Sequence, residues 1–131
     1  MRLLLDTHVA LWALSAPERL SEGARDAIVS AEDLWLSVVS PWEMVIKASL
    51  GKLELHRPVA DLVRELEREF GVVSLPIKLP HVLEVAHLPL HHPEHGDPFD
   101  RLLIGQARAE GLSVVTRDRH FEAYGVPVIA A

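Results

Sequence analysis

Cysteine is absent from this 131-residue chain, which removes disulfides and thiolate metal ligands and is compatible with a reducing compartment. Aromatic residues are scarce, at 5%, so a surface that holds single-stranded nucleic acid chiefly by stacking is poorly supported, and Trp12, Trp35 and Trp42 are read as core residues. Positive charge is short as well. Lysine and arginine total 13 against 19 aspartates and glutamates, a formal net charge of −6, which argues against broad electrostatic capture of nucleic acid. Only local patches remain as candidates: Lys47, Lys52 and Arg57, the pair Arg64 and Arg68, and the later set Arg101, Arg108, Arg117 and Arg119. Long hydrophobic runs are also missing. Met1-Arg-Leu-Leu-Leu-Asp6 reaches a charge too soon for a signal-peptide core or a membrane span, so the expected location is cytoplasmic with no membrane partner.

What is present is enough apolar material, 49%, for one ordinary domain spanning residues 1–131. Arg2–Leu5 reads as a buried strand ending at Asp6-Thr7, and a helical pattern (Val9, Leu11, Trp12, Leu14) follows at once. Ser15-Ala-Pro-Glu18 breaks it, and Ser21 starts a second helix through Ala24, Ala27, Ile28 and Ala31. Leu34–Val39 reads as the second strand and Pro41–Leu50 as the next helix, with Ser40 as its cap and Gly51 at its end. Another helix runs from Pro58 to Phe70, a third strand from Val72 to Leu75 and a brief helix from His81 to Ala86. Residues 88–96 form a loop, Pro98–Glu110 a helix closed by Gly111, and Leu112–Thr116 a strand. A short helix to Tyr124 and a last apolar run, Val126–Ile129, complete the pattern.

Strands alternating with helices predict an α/β fold with a mainly parallel sheet covered on both faces by right-handed crossovers. In such a sheet the C-terminal end of each strand and the N-terminal end of each crossover helix share one edge, where open α/β sheets place their sites. Asp6 falls just past the first strand, Glu43 in the first turn of the helix after the second, Asp100 at the opening of the helix before the fourth, and Asp118 just past that strand. Four carboxylates gathered there repel one another unless a proton or cation intervenes. Oxygen-only ligands without cysteine select Mg²⁺ or Mn²⁺ over zinc, and such an ion activates water and neutralises the developing charge of a phosphodiester. Metal-dependent nuclease chemistry is the expectation.

Each of these residues also has a purely structural reading. Asp97 before Pro98 is a helix cap, Glu43 and Asp100 suit the third position of a capped helix, and Asp6 and Asp118 suit turns. Ser40 and Thr116 lie near the same edge, either bonding the acids or serving as cap and strand residue. Arg101 and Arg117 flank acids and either contact phosphate or screen the cluster, and Lys47, one turn after Glu43, has the same two readings. His91-His92-Pro-Glu-His95-Gly-Asp97 is a rival metal cluster, but its spacing matches no helix-borne zinc motif.

Four blocks in order carry a family resemblance: Leu3-Leu-Leu-Asp-Thr7; Ser37, Ser40 and Glu43 spaced by pairs of residues; His95-Gly-Asp-Pro-Phe-Asp-Arg-Leu-Leu-Ile-Gly-Gln-Ala107; and Val114-Val-Thr-Arg-Asp118 with His120-Phe121. Together they resemble a PIN domain and, more narrowly, the VapC-type toxins of prokaryotic toxin–antitoxin pairs. The resemblance implies a three-layer α/β/α fold with a mainly parallel central sheet, a homodimer, an endoribonuclease dependent on Mg²⁺ or Mn²⁺, and inhibition by a cognate antitoxin. Carried over by motif position, Asp6, Glu43, Asp100 and Asp118 are the catalytic and metal-binding acids, and Asp97 is an extra acid that is either cap or outer shell. Gly105 stands where the family usually has alanine, which bears on helix stability rather than catalysis. The alternative is a PIN-like regulatory module that binds an antitoxin or RNA with little or no cleavage. A phosphatase with Asp6 as nucleophile is disfavoured, because the residues after it are Thr7-His8 rather than the spacing that chemistry requires.

Overall fold

The leucines of the first strand fix the architecture. Leu3, Leu4 and Leu5 are all fully buried, yet successive strand side chains point to opposite faces. Leu3 and Leu5 therefore enter one core and Leu4 another, which requires helices on both sides of the sheet. A computed structural model of the chain, describing residues 1–89 and 96–131, has that arrangement. Strands β1 (Arg2–Leu5), β2 (Asp33–Ser37), β3 (Val73–Leu75), β4 (Ser113–Thr116) and β5 (Val128–Ala130) form one sheet in the order β3-β2-β1-β4-β5. Every pairing is parallel.

On one face lie α1 (Thr7–Ser15), α2 (Glu22–Ser30) and α4 (Val59–Phe70), joined to Leu3 and Leu5 through Val9, Ala10, Ala24, Ile28 and Leu66. On the other face α6 (Pro98–Glu110) packs on Leu4 through Leu103, Ile104 and Ala107. Val39, at the start of α3 (Val39–Ser49), belongs to this second core. The layers are α/β/α, and no helix among the described residues is long and apolar enough to cross a membrane.

The structure corrects the expected course of several segments. Strand β2 stops at Ser37 and α3 begins at Val39, because the Ser37 hydroxyl accepts the Val39 N–H at 3.0 Å and turns the chain there. Ser40 is thus inside the helix rather than its cap, and Glu43 lies in the second turn rather than at the third position. Pro41 still falls in the first turn, where a missing N–H costs no helical bond. The break after α1 is a 3₁₀ turn, Pro17–Arg19, and the last short helix is also 3₁₀, Arg119–Tyr124. Trp42 is not a core residue: it is 48% exposed and meets Phe99 edge-on at 4.8 Å.

Gly105 gains a positive reason. A Cβ there would stand 2.8 Å from the His81 carbonyl oxygen and 3.0 Å from Val85 Cγ2, so its absence lets α6 run close against α5 (Leu79–Val85). His81, fully buried, completes the joint. Its Nδ1 accepts the Lys78 N–H at 3.0 Å, which leaves the ring proton on Nε2 to reach Glu110 Oε1 at 2.8 Å.

Candidate active site

Because β1 pairs with β4 in the register Leu5 to Val115, the next residues on the two strands, Asp6 and Thr116, face each other at the C-terminal edge. Asp6 caps α1 with Oδ1 accepting the Thr7 N–H at 2.7 Å, and its Oδ2 accepts the Thr116 hydroxyl at 2.7 Å. Thr116 Oγ1 in turn accepts the Asp118 N–H at 3.0 Å. One hydroxyl therefore links the first acid to the backbone of the last.

Glu43 is almost wholly buried at 2% exposure, which obliges it to find donors. Lys47, one helical turn on, gives Oε2 a bond of 2.6 Å. Thr7 Oγ1 lies 2.6 Å from Glu43 Oε1 and 2.9 Å from Ser40 Oγ. With one proton, Thr7 donates to the carboxylate and accepts from Ser40. The chain Ser40, Thr7, Glu43, Lys47 thus fixes α3 against the start of α1.

Asp97 caps α6, its Oδ1 accepting the N–H groups of Phe99 at 2.8 Å and Asp100 at 3.2 Å, while its other oxygen stands 3.6 Å from Lys47 Nζ. Asp100 lies at the third helical position, and its carboxylate accepts no hydrogen bond from the described residues. Asp118 caps the final 3₁₀ turn: its Oδ1 accepts the His120 N–H at 2.9 Å and lies 2.9 Å from the ring Nδ1.

The electrostatics separate these acids. Burial raises the Asp6 carboxyl above its usual range; the bonds from Thr116 and Thr7 oppose that, and the Glu43 charge adds to it. Asp100 is pushed up to about 8, first by burial and then by the charges of Asp6, Asp97 and Glu43, with Lys47 acting the other way. For Lys47, burial works downward but the bond to Glu43 and the acids around it prevail, so it is held above its usual value and stays protonated. The acids are therefore short of positive charge around Asp6 and Asp100, while Glu43 and Asp118 already have partners.

Asp6, Glu43, Asp100 and Asp118 line one open cleft of about 430 Å³ together with Lys47 and Arg117. An all-oxygen donor set in which two carboxylates are destabilised by burial and then by neighbouring acid charge suits a hard divalent cation. Among the described residues no three aspartates, glutamates or histidines already stand close enough to form a ready-made cage. The reason is visible in the bonds above: Glu43 is turned toward Thr7 and Lys47, and Asp118 toward His120.

Not every residue picked from the sequence reaches the cleft. Ser40 reaches Glu43 only through Thr7. The Arg101 guanidinium turns away, donating to the carbonyl oxygens of Leu88 at 3.0 Å and Pro89 at 3.4 Å, so it braces the chain entering α6 rather than addressing phosphate. Arg117 does line the cleft, but it lies over Trp12, 4.3 Å from the ring centroid, and donates to the Arg19 carbonyl oxygen. The rival cluster His91, His92 and His95 lies outside the described residues. Sequence reasoning missed Thr7 as the donor to Glu43 and Trp12 as a cleft residue. The available signals were the position of Thr7 directly after Asp6 and the placing of His8 and Trp12 one turn apart on α1.

A sheet of this order with acids gathered at its C-terminal edge defines a class. The family model described as the PIN domain matches residues 3–127, and the chain belongs to that family. Ribonuclease VapC22 of Mycobacterium tuberculosis (strain ATCC 25618 / H37Rv) is 34% identical to it over 126 residues, covering 95% of this chain and 93% of that protein. Among solved structures, VapBC2 from Rickettsia felis bound to a promoter DNA fragment matches with a TM-score of 0.72 at 13% identity, covering 99% of this chain and 98% of that one. DNA-bound VapBC from Salmonella typhimurium matches with a TM-score of 0.70 at 18% identity over the same shares. At these identities the structural likeness is one of fold.

Proposed function

We propose that this chain is a divalent-metal-dependent endoribonuclease and the toxin of a toxin–antitoxin pair, hydrolysing RNA phosphodiesters at the cleft of Asp6, Glu43, Asp100 and Asp118. The observation that carries the reading is the gathering of Asp6, Glu43, Asp100 and Asp118 in one open cleft, where burial and then neighbouring acid charge hold the Asp6 and Asp100 carboxyls above their usual range. The 34% identity to a ribonuclease, extending over nearly all of both chains, supports the substrate class. Mg²⁺ or Mn²⁺ held by these acids would supply Lewis-acid stabilisation of phosphate charge and a more acidic water. The chain's own contribution is positioning. Thr116 and the Thr7 amide orient Asp6, Thr7 and Lys47 orient Glu43, and the Asp97 cap sets the start of α6 so that Asp100 enters the cleft.

Two partners belong to this reading. A cognate antitoxin protein is supported by the fold shared with VapBC complexes, and a second copy of the chain by the exposed apolar side chains Trp42, Val45 and Ile46 along α3. A catalytically weak regulatory module is the second reading, favoured by the internal partners that Glu43 and Asp118 already hold.

The deciding experiment is cleavage of single-stranded RNA by purified protein with chelator, then with Mg²⁺ or Mn²⁺ restored, alongside Asp6→Asn prepared identically. Metal-dependent cleavage lost in the variant is the expected result. Equal cleavage by the variant would expose a contaminant and remove the proposal's support, and absence of cleavage by antitoxin-free wild type would favour the regulatory module.

A further inference from the structure

Next to the acid cleft two arginines share one indole. The guanidinium carbon of Arg117 lies 4.3 Å from the centroid of the Trp12 ring and that of Arg19 lies 4.9 Å from it. Arg117 also donates to the Arg19 carbonyl oxygen, which ties the segment after β4 to the 3₁₀ turn after α1. Among the described residues neither arginine makes an ion pair. That is unexpected electrostatically, because Arg117 lines the same cleft as Asp6, Asp100 and Asp118 and follows directly on a residue bonded to Asp6. Like charges brought to one ring repel, and attraction to the aromatic ring offsets part of that.

Trp12 and His8 form the wall between this cleft and a second depression, which runs past Arg19 toward His56 and Arg57. Arg117 lines the acid cleft and Arg19 the second depression, so the two guanidinium groups stand on either side of the shared boundary at Trp12. Planar guanidinium forks pre-oriented on an aromatic face suit phosphate oxygens, since little side-chain entropy remains to be lost. In a chain of net charge −6, such a cationic pair supplies locally what the overall field denies.

We propose that Arg19 and Arg117, held on Trp12, form a phosphate clamp that grips the RNA backbone beside the phosphodiester at the acids and carries the strand into the depression beyond. The proposal rests on the ribonuclease reading for the identity of the strand. It assigns Arg19 and Arg117 to substrate binding and Trp12 to positioning them.

The test uses a fluorescently labelled single-stranded RNA oligomer and the Asp100→Asn protein, so that binding is read without turnover, by anisotropy across a salt series. Arg19→Gln and Arg117→Gln, each added to that background, should weaken binding by about tenfold and lower the salt slope by about 0.7, the share of one phosphate contact on a single strand. Trp12→Leu should weaken binding with both arginines still present, and Arg19→Lys should recover the slope but only part of the affinity. Arg25→Gln, on α2, serves as the surface-charge control and should move neither quantity. With Asp100 intact, Arg19→Gln should raise KM and leave kcat within about twofold.

Wild-type affinity and slope in both arginine variants would overturn the clamp, whether or not the chain cleaves RNA. So would weaker binding at unchanged slope, which a structural role or a site for an acidic peptide of a partner protein would give. If the slope falls as expected but wild type never cleaves, the clamp stands and the nuclease reading fails.

Discussion

The two sides of the cleft hold opposite charges that do not neutralise each other. On one side burial and neighbouring acid charge hold the carboxyls of Asp6 and Asp100 high; on the other, Arg117 lies over Trp12 instead of reaching for them, with Arg19 stacked on the same ring just beyond the cleft. Lys47 is the cation that does join the acids, and its short bond goes to Glu43. A fold selected for stability alone would gain by pairing such groups. Keeping them apart leaves the acids ready for a cation and the arginines ready for a polyanion, which is the charge pattern that phosphodiester hydrolysis requires.

If that division is real, changing the acid side should abolish chemistry. Asp6→Asn and Asp100→Asn should each lower RNA cleavage by at least about 100-fold, the loss that follows when several kcal/mol of charge stabilisation disappears, with circular dichroism unchanged. Retained activity in either would remove that acid from the site.

A second way to probe the acid side is pH. Asp100 binds its proton more tightly in the folded chain, at about 8, than its ordinary value of 3.8. The folded state thus keeps a proton that the unfolded chain has released, and stability should fall as pH rises from about 4 to about 8 and then level off. Thermal melts in chelator should show that decline, Asp100→Asn should flatten much of it, and Mg²⁺ should raise the melting temperature more at pH 8 than at pH 6. A wild-type profile that stays flat in chelator would mean that burial and neighbouring charge do not hold the Asp100 carboxyl high.

The support beneath the acids should matter less than the acids. Thr7→Val leaves Glu43 Oε1 buried without its donor and should cost about 1–3 kcal/mol in chemical denaturation. The smallest effect is expected at Asp97. Asparagine caps helices about as well as aspartate, so Asp97→Asn should shift stability by only a few tenths of a kcal/mol and cleavage by less than about threefold. Equal loss of activity in Asp97→Asn and Asp100→Asn, with folding intact, would show that the two acids have been assigned the wrong roles.

How far these features were legible in the chain depended on whether they arise locally or across the sheet. The alternation of elements was readable because Leu3 to Leu5 and Val114 to Val115 are short, wholly apolar runs bounded by polar residues, and Asp97-Pro98 is a local capping signal. Parallel topology then put all four acids at one edge. The start of α3 was not readable, because Ser37 and Ser40 both look like caps and only the turn at Val38 decides between them. Side-chain direction was harder still. Nothing near Arg101 in sequence says that it bonds Leu88 and Pro89, and nothing near Arg117 says that Trp12, far along the chain, will hold it. Thr7 shows the same limit, since its partners Ser40 and Glu43 arrive from another element.

That Asp6 and Asp100 lack a neutralising cation, which Lys47 gives to Glu43 and the arginines withhold, is tested most directly by titrating Mn²⁺ into the chelator-treated chain by calorimetry at pH 7 in buffers of different ionisation heat. With Asp100 holding its proton up to about 8, binding should release close to one proton, because a carboxylate must be ionised to ligate. Asp100→Asn should bind more weakly and release almost none, while Arg117→Gln should behave as wild type. Absence of Mn²⁺ binding, or binding that is the same in wild type and Asp100→Asn, would contradict the account.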